Sequence, residues 1–156
     1  MYKTILVPHA GTPAGDEALK HAIHAAKDSS ELIILHIVEE IPYPPSFALS
    51  SSERKDLLKN VENANEELRK DMAQKMEKSA QMCKEKGLKV KVQVEVGDAA
   101  EIILDVVEKE KVDLIVMSKR RKLKGIKKIL SLGSVSRKVV ENVTCPVTLI
   151  DIENIE

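Results

Sequence analysis

The chain has 156 residues, with 25 Lys and Arg against 25 Asp and Glu and an aromatic content of only 2%. That length suits one domain with a substantial buried core, and the zero formal net charge argues against a general binder of polyanions. So few aromatic residues leave little material for base-stacking platforms, which weighs against nucleic acid as a partner. Cys83 and Cys145 lie far apart and belong to no CxxC motif, so neither a disulfide framework nor a zinc site is indicated and a reducing compartment is expected. The opening "MYKTILVPHAG" holds too short an apolar stretch for a signal peptide, and no run reaches the roughly 20 residues of a membrane span. A cytoplasmic protein without a membrane partner is the expectation.

The β-branched run "TILVP" (4–8) predicts a first strand. Thr12 and Pro13 then offer an N-cap and an N1 proline to a helix whose apolar stripe is Ala18, Leu19, Ala22, Ile23 and Ala26, with His21 and His24 beside it and "DSS" at its end. "LIILHIV" (32–38) predicts the second strand. The prolines of "EEIPYPPSFALSSS" forbid regular structure and predict a mobile insertion at about 40–52.

From Ser52 to Lys86 the spacing predicts one long amphipathic helix, with Leu57, Val61, Ala64, Leu68, Met72, Met76, Ala80 and Cys83 on a stripe and Gly87 as its stop. Unbroken, it would run about 50 Å at 1.5 Å per residue. A small sheet cannot cover that length, so an overhang or a break is expected. "VKVQVEV" (90–96) alternates, as an edge strand does, whereas three of the other strand-like runs are nearly continuous in hydrophobicity. Asp98 and Glu101 start a helix with Ile102, Ile103, Val106 and Val107 on one face. "LIVM" (114–117) and "VTLIDI" (147–152) complete the strands, with Cys145 expected to be buried at the start of the last.

Five strands alternating with helices predict an α/β fold spanning 1–156 as a single domain: a five-stranded parallel, doubly wound sheet of the flavodoxin or Rossmann type with helices on both faces. In such sheets ligands sit beyond the carboxyl ends of the strands, at the switch point. Two loops are thereby singled out: "PHAGTP" after the first strand and "SKRRKLKGIKKILSLGS" (118–134) after the fourth.

Those two loops, together with "VGDAAEII" and the ending "LGSVSRKVVENVTCPVTLI", resemble the universal stress protein family. The resemblance implies homodimerisation through the last strand, here Val147 and Leu149, and unidentified protein partners. In one branch of the family it implies an ATP or AMP site, with magnesium only alongside ATP. That branch carries G-x2-G-x9-G-[ST] after the fourth strand and an Asp after the first. Here the final pair stands as Gly133 and Ser134. Counted back from Gly133, the two earlier glycines fall at Arg120 and Leu123; with a two-residue insertion they fall at Ser118 and Arg121. None of these is glycine, and Ala10 or His9 occupies the place of the Asp.

Glycines let backbone N–H groups approach an anion. Arginines instead neutralise phosphate through bidentate side-chain hydrogen bonds, so the change of residue type exchanges a backbone cradle for a cation clamp. The candidate anion or nucleotide site therefore takes Pro8, His9, Ala10, Gly11 and Thr12 from the first loop and Ile37 and Met117 from strand ends. Ser118, Lys119, Arg120 and Arg121 come from the basic stretch, and Gly133, Ser134, Val135 and Ser136 from the helix start. Ser134 is the expected N-cap of "SVSRKVVEN", with Arg137 and Lys138 in its first turn, where cations oppose the helix dipole unless a phosphate binds there. A plainer reading leaves the basic stretch as a solvated face with Leu123, Ile126, Ile129 and Leu130 turned inward. No nucleophile elbow, phosphate loop or HExxH motif is present, so the sequence indicates a regulatory binding module, not an enzyme. Slow ATP hydrolysis would require Ser134 and Ser136 to orient a phosphate with bound metal. A protein that binds no ligand and acts through its dimer surface and long helix is the alternative.

Overall fold

In chain order the elements are β1 (Thr4–Pro8), α1 (Pro13–Ala25), β2 (Glu31–Val38), α2 (Ser51–Glu85), β3 (Lys89–Val96), α3 (Ala99–Lys109), β4 (Leu114–Ser118), α4 (Ser134–Asn142) and β5 (Val147–Ile150). They belong to a computed structural model that describes residues 1–39, 47–119 and 133–151. The strands form one sheet in the order β3-β2-β1-β4-β5, every neighbouring pair parallel. In the central register Ile5 lies between Leu32 and Leu114. Chain order reverses between β1 and β4, which makes their carboxyl ends the switch point.

The continuous apolar strands β1, β2 and β4 are central because both of their faces are covered. On one face, Ile5, Val7, Leu32, Ile34, Leu114 and Val116 pack with Ala18, Leu19 and Ala22 of α1 and with Met76, Ala80 and Cys83 of α2. On the other, Leu6, Ile33, Leu35, Ile115 and Met117 pack with Ile103 and Val106 of α3 and Val139 of α4. The alternating β3 is indeed an edge strand. Its carbonyl at Val94 accepts a hydrogen bond from Arg69 Nε at 3.1 Å, so α2 occupies part of the edge that strand pairing would otherwise seek.

Thr12 caps α1 and Asp98 caps α3, each side chain accepting a first-turn N–H. α2 is unbroken over 35 residues and is unevenly covered: Met76, Ser79, Ala80 and Cys83 are buried near its end, whereas in its first half Val61 is buried but Leu58 and Leu68 are exposed. Several boundaries differ from expectation. α1 stops at Ala25, before "DSS", because the Ala26 N–H already closes the last turn on Ala22 and Ile23 carbonyls. α2 starts at Ser51, inside the span expected to be an irregular insertion, because Ser50 and Glu53 form a reciprocal capping box. Residues 40–46 of that span lie outside the described residues. Cys145 is only half-buried, since it precedes β5 at the sheet's outer edge and is not part of that strand.

Candidate functional site

β1, β2 and β4 all end at the same rim of the sheet, and there the chain leaves a cleft of about 330 Å³ on the face that carries α3 and α4. This is the volume range of small-molecule sites. Its floor is apolar, made by Leu35 and Ile37 of β2, Met117 of β4 and Ile103 of α3. One wall is the backbone turn Pro8–His9–Ala10, and the opposite wall is the start of α4, from Gly133 to Ser136. Ser118 and Glu39 contribute polar groups.

The α4 wall has a particular electrostatic character. Gly133, not Ser134, is the N-cap, and no side chain caps the helix. The reason is positional: Ser134 already has helical geometry at the first position, and the Gly133 carbonyl accepts the Arg137 N–H at 3.0 Å. The N–H groups of Ser134, Val135 and Ser136 thus belong to the turn that has no intrahelical acceptor, and they sit at the positive end of the helix dipole. The same shift moves Arg137 and Lys138 past the first turn, and both are exposed.

The Pro8–Ala10 wall is held from behind by histidines. His9 is buried, and its ring turns away from the cleft toward α1 and α2, so the cleft sees its backbone. Gly11 N–H donates to His9 Nδ1 at 3.0 Å. Nδ1 is therefore unprotonated, and Nε2–H donates to Asp16 Oδ1 at 2.9 Å. The Ser79 hydroxyl donates to the same carboxylate oxygen at 3.4 Å. His36 Nδ1–H donates to the His9 carbonyl at 2.7 Å, and burial lowers the pKa of His36. Gly11 turns the chain with φ of 75°, a backbone that favours glycine.

The residues expected from the sequence divide clearly. Pro8, His9, Ala10, Ile37, Met117, Ser118, Gly133, Ser134, Val135 and Ser136 all line the one cleft. Gly11 and Thr12 do not; they turn the chain and cap α1. Lys119 extends the ladder, donating its N–H to the Ile150 carbonyl at 2.9 Å. Arg120, Arg121 and the rest of the basic stretch to residue 132 lie outside the described residues. Val147 and Leu149 occupy the outer strand and pack against the core of the α3 and α4 face. Leu35, Glu39, Ala99 and Ile103 also line the cleft and were not expected. Leu35 shares a strand face with Ile37, and Glu39 directly follows the end of β2, so the rule that ligands lie past strand ends would have reached both. Among the described residues no group of three His, Cys, Asp or Glu is placed to hold a metal, and none of the helices is long and apolar enough to cross a membrane.

A doubly wound parallel sheet with an apolar cleft and a bare helix N-terminus at its switch point defines an α/β domain of the flavodoxin or Rossmann type. Within that class the chain belongs to the universal stress protein family, whose model matches residues 1–151. It is 33% identical over 151 residues to universal stress protein MJ0531 of Methanocaldococcus jannaschii, covering 96% of this chain and 82% of that one. To universal stress protein MJ0577 of the same organism it is 34% identical over 162 residues, covering 99% and 98%. A solved structure of protein MJ0577 superposes with a TM-score of 0.79 over 99% of each chain. Two more distant structures share the fold: a universal stress protein in complex with cAMP, at a TM-score of 0.56, 19% identity and coverage of 96% and 97%, and an Arabidopsis thaliana family protein with AMP bound, at 0.57, 17% and coverage of 96% and 91%.

Proposed function

We propose that this protein is a cytoplasmic, homodimeric regulatory module that binds an adenine nucleotide or another phosphorylated small molecule in the cleft between Pro8–Ala10 and the start of α4. The observation that carries the reading is the α4 N-terminus: three first-turn N–H groups, uncapped by any side chain, border an apolar cavity. An anion fits that position through hydrogen bonds and the helix dipole together. An aromatic base fits the floor of Leu35, Ile37, Ile103 and Met117. The AMP and cAMP bound by the two distant relatives combine those two chemistries in one molecule. Lys119 and, by sequence, Arg120 and Arg121 add cations beside the phosphate end, in place of the glycines of the family's nucleotide motif. The role is binding, with no bond-breaking step assigned, and dimerisation is assigned to the outer edge of β5.

Calorimetric titration with AMP, ADP and ATP, with and without magnesium, at about 50 and 300 mM salt tests this reading, because exposed contacts are screened over that range and a buried phosphate clamp is weakened less. The expected result is saturable binding, one ligand per chain, weakened by alanine at Arg120 and Arg121. No binding at millimolar ligand and low salt overturns it. In that event the alternative gains ground: a ligand-free interaction protein acting through its dimer surface and the long helix α2, where Leu58 and Leu68 face solvent.

A further inference from the structure

We propose that the outer edge of β3 is an interface for a second copy of this chain, paired antiparallel about Gln93, and that Arg69 is the contact that holds it closed. This edge is at the end of the sheet opposite β5, so it is separate from the dimer surface assigned above.

β3 is eight residues long and pairs with β2 along its whole length. In a parallel ladder a residue that bonds the neighbouring strand turns both its backbone groups that way, and the residues on either side of it turn theirs outward. The Gly97 N–H donates to the Val38 carbonyl of β2 at 3.1 Å. Odd-numbered residues back to Lys91 therefore face β2, and Val90, Val92, Val94 and Val96 direct their N–H and C=O groups outward. An edge of that length is a template for another strand unless something blunts it. A cavity of about 320 Å³ lies between α2 and the Val92–Glu95 stretch, and from its α2 wall Arg69 reaches the strand. Arg69 Nε–H donates to the Val94 carbonyl at 3.1 Å, and its guanidinium stands 4.0 Å from Glu66.

The strand is complementary to itself. With a two-fold axis at Gln93, Val92 of one copy lies opposite Val94 of the other, and because both face outward they exchange two N–H···O bonds. Lys91 lies opposite Glu95 on each side of the axis, in positions that bring side chains closest and where opposite charges are favourable. An axis at Lys91 or at Glu95 would set like charges face to face, so charge disfavours those registers. Gln93 meets its own copy at the centre. Its Oε1 is buried without a hydrogen-bond partner in the single chain, and turned toward the axis it takes an amide N–H of the second copy. One of the two acceptors that each copy places beside the axis is the Val94 carbonyl, the group that Arg69 holds. The latch thus sits on a bond that pairing in this register needs. With β5 assigned to the homodimer, a second two-fold contact at the opposite edge does not close, and the assembly grows along the sheet.

Sedimentation equilibrium over a concentration series tests this on wild type, Arg69→Met and Arg69→Ala, with amide hydrogen exchange read at Val92 and Val94. The Arg69 side chain is 48% exposed, so melting curves of both variants should overlay the wild type, and Met keeps the apolar stem while removing the donor. Wild type is expected to hold one mass at all concentrations. Both variants are expected to rise to roughly twice that mass or more, with exchange at Val92 and Val94 slowing as concentration rises. In the Arg69→Met background Lys91→Glu should abolish the gain, and adding Glu95→Lys should restore it. A constant mass in both variants overturns the proposal, and so does growth that Lys91→Glu leaves untouched, which would place the contact in another register or on another surface. Wild-type growth equal to that of the variants overturns the role of Arg69.

Discussion

The His9 imidazole donates from Nε2 to Asp16 Oδ1 at 2.9 Å, with the ring buried and the carboxylate half-exposed. The pair ties the turn that walls the cleft to the first turn of α1. Because His9 Nδ1 also takes the Gly11 N–H, removal of the ring deprives two groups of a partner and opens a void. His9→Ala should cost about 2–3 kcal/mol in urea denaturation, and Asp16→Ala about 1 kcal/mol. The double mutant should show a coupling of about 1 kcal/mol. Strictly additive losses would mean that the two residues stabilise the fold independently.

Gly15 gives a prediction of opposite sign to the usual rule. Within a helix, Gly→Ala normally stabilises by about 0.5–1 kcal/mol. A Cβ on Gly15 would stand 2.5 Å from His9 Nδ1, closer than any relaxed contact, and the ring is pinned at both nitrogens. Gly15→Ala should therefore destabilise by about 1–3 kcal/mol. Placed in a His9→Ala background the same change should become neutral or favourable. Destabilisation that persists without the imidazole would locate the strain elsewhere.

His36 predicts how stability responds to acid. Burial holds its pKa below the ordinary 6.5, outweighing the hydrogen bond to the His9 carbonyl. The unfolded chain then binds a proton more readily than the folded one. The associated stability is fully present above about pH 6.5 and is lost as pH falls through the folded-state pKa. Thermal melts between pH 7.5 and 5 should show a decline that is shallower in His36→Gln. Equal slopes would indicate that other groups carry the acid sensitivity.

The sequence made the sheet legible because its signals are local. β1, β2 and β4 are nearly continuous in hydrophobicity, β3 alternates, and these two patterns separate centre from edge without any knowledge of the structure. The cleft was legible to the extent that topology determines it, through the switch point. What was hidden depends on contacts between distant segments. Nothing in the spacing of His9 and Asp16 says that the ring turns away from the cleft, and the partner Ser79 lies 63 residues further along the chain. Gly133 displaced Ser134 as the cap because a one-residue change of helix start depends on backbone geometry that residue type does not report. Burial likewise pushes the Cys83 thiol up to about 11, where it behaves as a small apolar side chain.

The long helix α2 should be unevenly stable along its length, and this is testable by comparing two apolar residues on its predicted stripe. Met76 is 1% exposed and packs with Ile5, Ile34 and Leu19 in the core, whereas Leu68 is 39% exposed. Met76→Ala should cost about 2–5 kcal/mol through lost burial and the cavity left behind. Leu68→Ala should cost below about 1 kcal/mol, since alanine's higher helix propensity offsets part of the small loss of burial. Amide hydrogen exchange should show the same gradient, with protection rising from the Ser50 capping box toward Cys83. In the first half of α2 Val61 is the one buried residue among those described, and a helix segment held mainly by its own hydrogen bonds and its cap is marginal in water. Equal costs at the two positions would mean that the N-terminal half of α2 is covered in solution.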